Sequence, residues 1–130
     1  MRLLLDTQCW LWMQVSPERF SAPALELIQH PESELVLSAA ISWEIAIKHA
    51  LGKLRLPIPP NEYVPSRMER SGVTALAIEH SHALHVASLP LHHRDPFDRL
   101  LIAQAQLEKL PILTADRQLE PYDVEIRWAS

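Results

Sequence analysis

At 130 residues the chain has room for one domain with a real core and is short for two. Hydrophobic residues make up 48% and charged residues 22%, an ordinary globular balance with no disordered, repeated or low-complexity tract. The formal charge of −4 argues against a nucleic-acid binder that works through bulk positive potential, but not against a carboxylate site whose charge a metal ion offsets. The apolar runs fall far short of the ~20 residues of a membrane-spanning helix. The opening MRLLLDTQCW lacks the apolar stretch and cleavage site of a secretory signal. Cys9, the single cysteine, cannot form an internal disulfide; it fits a reducing cytoplasm and reads as a small buried hydrophobe.

In chain order, Arg2 to Leu5 reads as a buried strand ending at Asp6. Thr7 is expected to cap a helix over 8–14 (Cys9, Trp10, Leu11, Trp12, Met13), which is apolar nearly all round. Such a helix is either buried on two sides or partly a partner-binding surface. Ser21-Ala22-Pro23 starts a second helix that runs to about Gln29 and is closed by Pro31. ELVL at 34–37 is a second strand, and Ser38 or Ser42 caps a helix that stops at Gly52. After a proline-dense loop, LRLPIPP, Asn61 is the expected cap of a helix ending near Gly72. A third strand follows at 73–78, then a short histidine-rich helix ended by Pro90. Asp95-Pro96 reads as N-cap and first-turn proline of the most regular helix, DPFDRLLIAQAQLEKL. Strands are expected at 111–114 and, on an edge, at 124–128.

Strands alternating with helices predict an α/β layer fold on a mostly parallel sheet, whose ligands gather beyond the carboxyl ends of the strands. That rule gives the acids a place. Asp6 ends the first strand, Asp116 follows the fourth, Asp98 opens the helix before that strand, and Glu44 lies early in the helix after the second. All four can meet at one sheet edge. Two carboxylates ~4 Å apart repel by roughly 4 kcal/mol at an effective dielectric of ~20, so such a cluster raises its pKa values or recruits divalent cations. An oxygen-only set suits Mg²⁺ or Mn²⁺ better than zinc. Each acid also has an ordinary use: Asp6 and Asp116 as turn or cap residues, Glu44 on a solvated helix face, Asp95 as an N-cap with Asp98 three residues on.

Three segments, LLLDTQCWLW, SAAISWEIAIKHALGKL and LPLHHRDPFDRLLIAQAQLEKLPILTAD, together resemble the PIN-domain ribonucleases, above all the VapC-type toxins of bacterial toxin–antitoxin pairs. HRDPFDRLLIAQA is the specific part; LLLDT is weak by itself. The resemblance spans nearly the whole chain, 1–130 as a single PIN-like domain, and implies a three-layer α/β/α sandwich. It further implies Mg²⁺- or Mn²⁺-dependent endoribonuclease activity and a cognate antitoxin. Asp6, Glu44, Asp98 and Asp116 match the family's four acids, with Asp6 and Asp98 holding one ion and Glu44 and Asp116 a second ion or the attacking water. Asp95, mainly the helix cap, is a secondary metal candidate. Thr7 and Thr114 are candidate hydroxyls that orient the carboxylates.

Lys48, Lys53, Arg55 and Arg99, with Arg94 and Arg117, are candidate phosphate contacts, each also at home on a solvated charged face. Trp12 and Trp43 have faces on which a base can stack, although core packing is the better reading for Trp43. The histidines at 80, 82 and 85 lack the closing partners of a zinc site. The chain is thus expected to be a cytoplasmic endoribonuclease toxin, a homodimer acting on RNA away from membranes. Its rivals are a catalytically silent PIN-fold binding module and a PIN nuclease of RNA processing. By the same resemblance, an antitoxin segment is expected beside Trp10, Trp12 and Met13.

Overall fold

The computed structural model describes all 130 residues. Its centre is a five-stranded sheet in the order β3-β2-β1-β4-β5, every neighbouring pair parallel. The strands are β1 (Arg2–Leu5), β2 (Glu34–Ser38), β3 (Thr74–Leu76), β4 (Ile112–Thr114) and β5 (Ile126–Trp128). Six helices flank it: α1 (Thr7–Val15), α2 (Ala22–Gln29), α3 (Ala39–Ala50), α4 (Pro60–Ser71), α5 (His80–His85) and α6 (Pro96–Glu108). This is the α/β/α layering expected of the sequence. The inner strands carry consecutive buried residues, Leu3-Leu4-Leu5 and Leu35-Val36-Leu37, because a sheet covered on both faces buries every position of a strand, not alternate ones.

The strand order decides where a ligand can sit. From β1 the chain works outward through β2 to β3, then returns to the other side of β1 for β4 and β5. The connections leaving β1 and β4 therefore diverge, opening a crevice at the carboxyl ends of those two strands. Asp6 and Asp116 stand in the connections at that crevice.

Local signals explain most helix boundaries. The Ser21 hydroxyl accepts from the Ala24 amide, and Ser38 from Ala40, capping α2 and α3. Asp95 caps α6 with Pro96 in its first turn, and Gly72 closes α4 at φ +68°, where a Cβ would be strained. Two expected caps are displaced. Asp6, not Thr7, is the N-cap of α1, since the carboxylate at the strand end reaches the Cys9 amide first. α4 begins at Pro60 behind Pro59, so Asn61 lies in the first turn and caps nothing. β3 and β5 are also shorter than their apolar runs.

α1 is half-sunk on nearly every side. Cys9 and Trp10 are fully buried while Leu11, Trp12 and Met13 are partly so. Trp10 meets Tyr63 edge-on at 6.0 Å, and Trp12 meets Phe20 at 5.4 Å. No helix is long and apolar enough to cross a membrane.

One polar tie runs through the core. Gln104 of α6, wholly buried, accepts from the Ser38 hydroxyl at the end of β2 and donates to the Ala77 carbonyl at 3.2 Å. Gln104→Leu keeps the volume but strands both partners, and should cost about 1–3 kcal/mol in urea unfolding. An unchanged midpoint would show that the tie contributes nothing net.

Candidate active site

Asp6 leaves β1 in extended conformation and turns its carboxylate back over α1. Oδ1 accepts from the Cys9 amide at 2.7 Å, and Oδ2 from the Thr114 hydroxyl on the adjacent strand β4. The Thr114 oxygen in turn accepts from the Asp116 amide at 3.0 Å. One hydroxyl thus registers two acids across the β1–β4 crevice. Asp6 is buried, and desolvation pushes its carboxyl above the usual range against the pull of these hydrogen bonds.

Glu44 enters from α3 and is only 6% exposed. The Thr7 hydroxyl donates to its Oε1 at 2.6 Å, and Lys48, one turn on, pairs with Oε2. The hydrogen bond to Glu44 holds the Lys48 ammonium above its ordinary pKa. Asp95, capping α6, accepts from the Phe97 and Asp98 amides at 2.9 and 3.0 Å. Asp116 caps the one-turn helix after β4 through the Gln118 amide at 3.0 Å.

Asp98, like Asp6, is held against its charge. Burial first, then the neighbouring charge of Asp95, raise its pKa to about 6, with smaller contributions from Asp116 and Glu44. Its one side-chain partner is His93, whose Nε2 lies 3.3 Å from Oδ2. Burial also drives the Cys9 thiol upward, so beside Asp6 it remains protonated and inert.

These side chains open onto a single cleft of about 460 Å³, lined by Asp6, Glu44, Asp95, Asp98 and Asp116 with Lys48 and Lys53. No three of the acids crowd one point tightly enough to ligate an ion together. An all-oxygen set at that spacing, with room for water between, suits a cation that binds through one or two carboxylates and keeps several waters. That is the habit of Mg²⁺, and not of zinc. The donor chemistry therefore fits a hydrated divalent ion.

Several sequence expectations change here. Trp43, read as core, is 53% exposed and leans edge-on against Phe97 at 4.9 Å, because the face of α3 beside Glu44 turns outward. Arg99, read as a phosphate contact, spends its guanidinium inside the fold: on the Pro90 carbonyl at 2.8 Å, the Tyr122 hydroxyl at 3.1 Å, and the Val86, Leu89 and His93 carbonyls. Arg117 lies over the Trp128 ring at 3.8 Å. Arg55 stands outside the cleft, in a neighbouring groove it shares with Trp12. Trp10 is sealed in the core and unavailable to a partner. His82 and His85 serve the α5–α6 contact, through Glu108 at 3.1 Å and Gln106 at 2.7 Å.

Residues 3–125 match the family model described as PIN domain. The chain belongs to the PIN-domain family. Among curated relatives of this PIN chain, ribonuclease VapC22 of Mycobacterium tuberculosis is 32% identical over 92% of the chain and 91% of that protein. Ribonuclease VapC16 of the same organism is 46% identical over 59 residues, which span 45% of this chain and 42% of that one. The fold matches VapBC2 from Rickettsia felis, solved with a promoter DNA fragment, at TM-score 0.73 and 13% identity, covering 100% of both chains. It matches DNA-bound VapBC from Salmonella typhimurium at 0.70 and 15% identity, covering 100% of this chain and 99% of that one.

Sequence reasoning missed the donors that hold this PIN site together: Lys48 on Glu44, and His93 with Tyr122 behind Asp98. The HHRDPFD string carried the histidine signal, but nothing local announced Tyr122.

The raised carboxyl of Asp98 has a definite sign in stability. The folded protein holds that proton more tightly than the unfolded chain, so the contribution is full below about pH 4 and is lost as pH rises through about 6. In metal-free buffer at about pH 7.5, Asp98→Asn should therefore stabilise the fold by on the order of 2 kcal/mol, the gain vanishing near pH 4. Urea unfolding with a chelator present reads this directly; a destabilised variant at the higher pH would contradict it.

Proposed function

We propose that the chain is a metal-dependent endoribonuclease, the toxin of a type II toxin–antitoxin pair. The observation that carries this reading is the meeting of Asp6, Glu44, Asp98 and Asp116 in one open cleft at the β1–β4 crevice. Near-full-length likeness to a protein named ribonuclease VapC22 supports RNA as the substrate. Likeness in fold to chains of VapBC assemblies supports an antitoxin partner.

In this reading Asp6 and Asp98 hold Mg²⁺ or Mn²⁺. Glu44 and Asp116 hold a second ion or orient the attacking water, and Asp95 acts through water if at all. The bound ion supplies an activated water and offsets charge on the leaving oxygen. The chain itself supplies the orientation. Thr114 and Thr7 fix the planes of Asp6 and Glu44, while Lys48 and Lys53 are the cations in the cleft available to a phosphate.

The adjoining groove shares Gln8, Leu11 and Leu54 with the cleft and continues over Trp12, Leu56 and Tyr63 between Arg19 and Arg55. Its apolar floor and basic rim suit an acidic, amphipathic antitoxin segment laid across the site. A homodimer belongs to the same reading, as does action on cytoplasmic RNA; exposed Trp43, Leu84 and Leu91 are apolar surface that such a pairing would cover.

The test is cleavage of RNA by purified protein with Mg²⁺ or Mn²⁺. Asp6→Asn should lose more activity than the ~10–100-fold typical of an outer partner, with its circular dichroism unchanged. Cleavage that survives both a chelator and this substitution would refute the proposal, and RNA binding without turnover would favour a binding module.

A further inference from the structure

Among the acids, Asp98 alone has a single side chain as its only partner. Asp6 and Glu44 each have both carboxylate oxygens engaged by the protein. The Asp98 carboxylate has only His93, at 3.3 Å from Oδ2. What stands behind His93 decides what it can do. Its Nδ1 lies 2.7 Å from the Tyr122 hydroxyl, and that hydroxyl lies 3.1 Å from Nη1 of Arg99. His93 packs edge-on against Tyr122 at 5.3 Å, and His92 flanks the same ring at 4.8 Å.

For a neutral imidazole, hydrogen bookkeeping along this row has one consistent solution. A guanidinium can only donate, so the Tyr122 oxygen accepts from Arg99. The hydroxyl owns one hydrogen, and the acceptor beside it is Nδ1 of His93, so that hydrogen points there. A neutral imidazole with Nδ1 accepting carries its proton on Nε2, facing the Asp98 carboxylate. The opposite tautomer would set a nitrogen lone pair against a carboxylate oxygen and leave the phenol hydrogen without a partner. The far end of the row does not drift, because Arg99 is itself tied to the carbonyls of Pro90, Val86, Leu89 and His93.

We infer that His93 is a positioning residue. Locked by Tyr122 and Arg99 as the Nε2–H tautomer, it binds one oxygen of Asp98 and fixes the carboxylate plane, leaving the other oxygen for the divalent ion. The inference rests on the nuclease reading above, but it concerns only how this chain holds Asp98. It also gives Arg99 a function without contact to RNA: it orients the phenol that sets the imidazole.

Two measurements on the full chain test it. Long-range ¹⁵N–¹H correlation spectra of the wild type in slightly alkaline buffer should show the His93 proton on Nε2. Mn²⁺ titration, by calorimetry or loss of the free-ion spin signal, should show His93→Ala binding about 10–100-fold more weakly than wild type. His93→Gln, whose amide can present an N–H near the former Nε2, should recover most of that loss, and Tyr122→Phe should fall between.

A proton on Nδ1 overturns the inference. So does an alanine variant that binds Mn²⁺ like wild type, or a glutamine variant no better than alanine, which would reduce His93 to packing. Wild-type protein that binds no Mn²⁺, or an Asp98→Asn variant that binds it undiminished, instead overturns the nuclease reading and this inference with it. The two failures are thus distinguishable.

Discussion

Mutual repulsion among converging carboxylates is the constraint around which this molecule is arranged. Asp6, Glu44, Asp116 and the pair Asp95 and Asp98 at the start of α6 come from four parts of the chain and face one cleft, where like charges repel. A parallel sheet with a switch point brings the strand ends together but does nothing to reconcile the charges. That work falls to specific donors: backbone amides at helix starts for Asp6, Asp95 and Asp116, threonine hydroxyls for Asp6 and Glu44, an ammonium for Glu44, an imidazole for Asp98. Helix N-termini recur because they combine unpaired amides with a favourable dipole. An acid in this site is often also a cap.

This double use explains what could be read from the sequence. Asp95-Pro96 and the serines at 21 and 38 announced their helices because capping chemistry is local. Consecutive leucines before Asp6 announced a buried strand, and the βα alternation alone is enough to bring all four acids toward one sheet edge. The same logic hid the caps that failed. Thr7 and Asp6 compete for one helix start: Asp6 takes it through the Cys9 amide while its other oxygen accepts from Thr114, on a strand more than a hundred residues later, and Thr7 is left to donate to Glu44.

The rest was not legible because it depends on which face of an element turns inward. Trp43 beside Glu44 looked like core by composition, yet the helix presents it outward against Phe97. Arg99 looked like a surface cation beside an active-site acid, yet the segment from Val86 to His93 folds over it and supplies carbonyls that no sequence pattern marks as a set. Tyr122 lies more than twenty residues from Asp98, on the segment after Asp116. Its place behind His93 is a tertiary fact.

The donors also differ in how firmly they hold, and that difference sorts the acids. Asp6 is gripped at both oxygens by groups fixed in the α1 start and in β4, so it cannot adjust without moving the framework. Glu44 is balanced by a cation from its own helix, a pairing that solvent and a phosphate can both contest because Lys48 is half-exposed. Asp98 has one imidazole partner, and burial and the charge of Asp95 raise its carboxyl to about 6. A site built this way has one rigid wall, at Asp6, and one responsive wall, at Asp98. A cation entering the cleft would gain most where the protein's own donors offset the charge least, on the responsive side. The repulsion that raises the Asp98 carboxyl is therefore the same quantity that a bound cation would relieve.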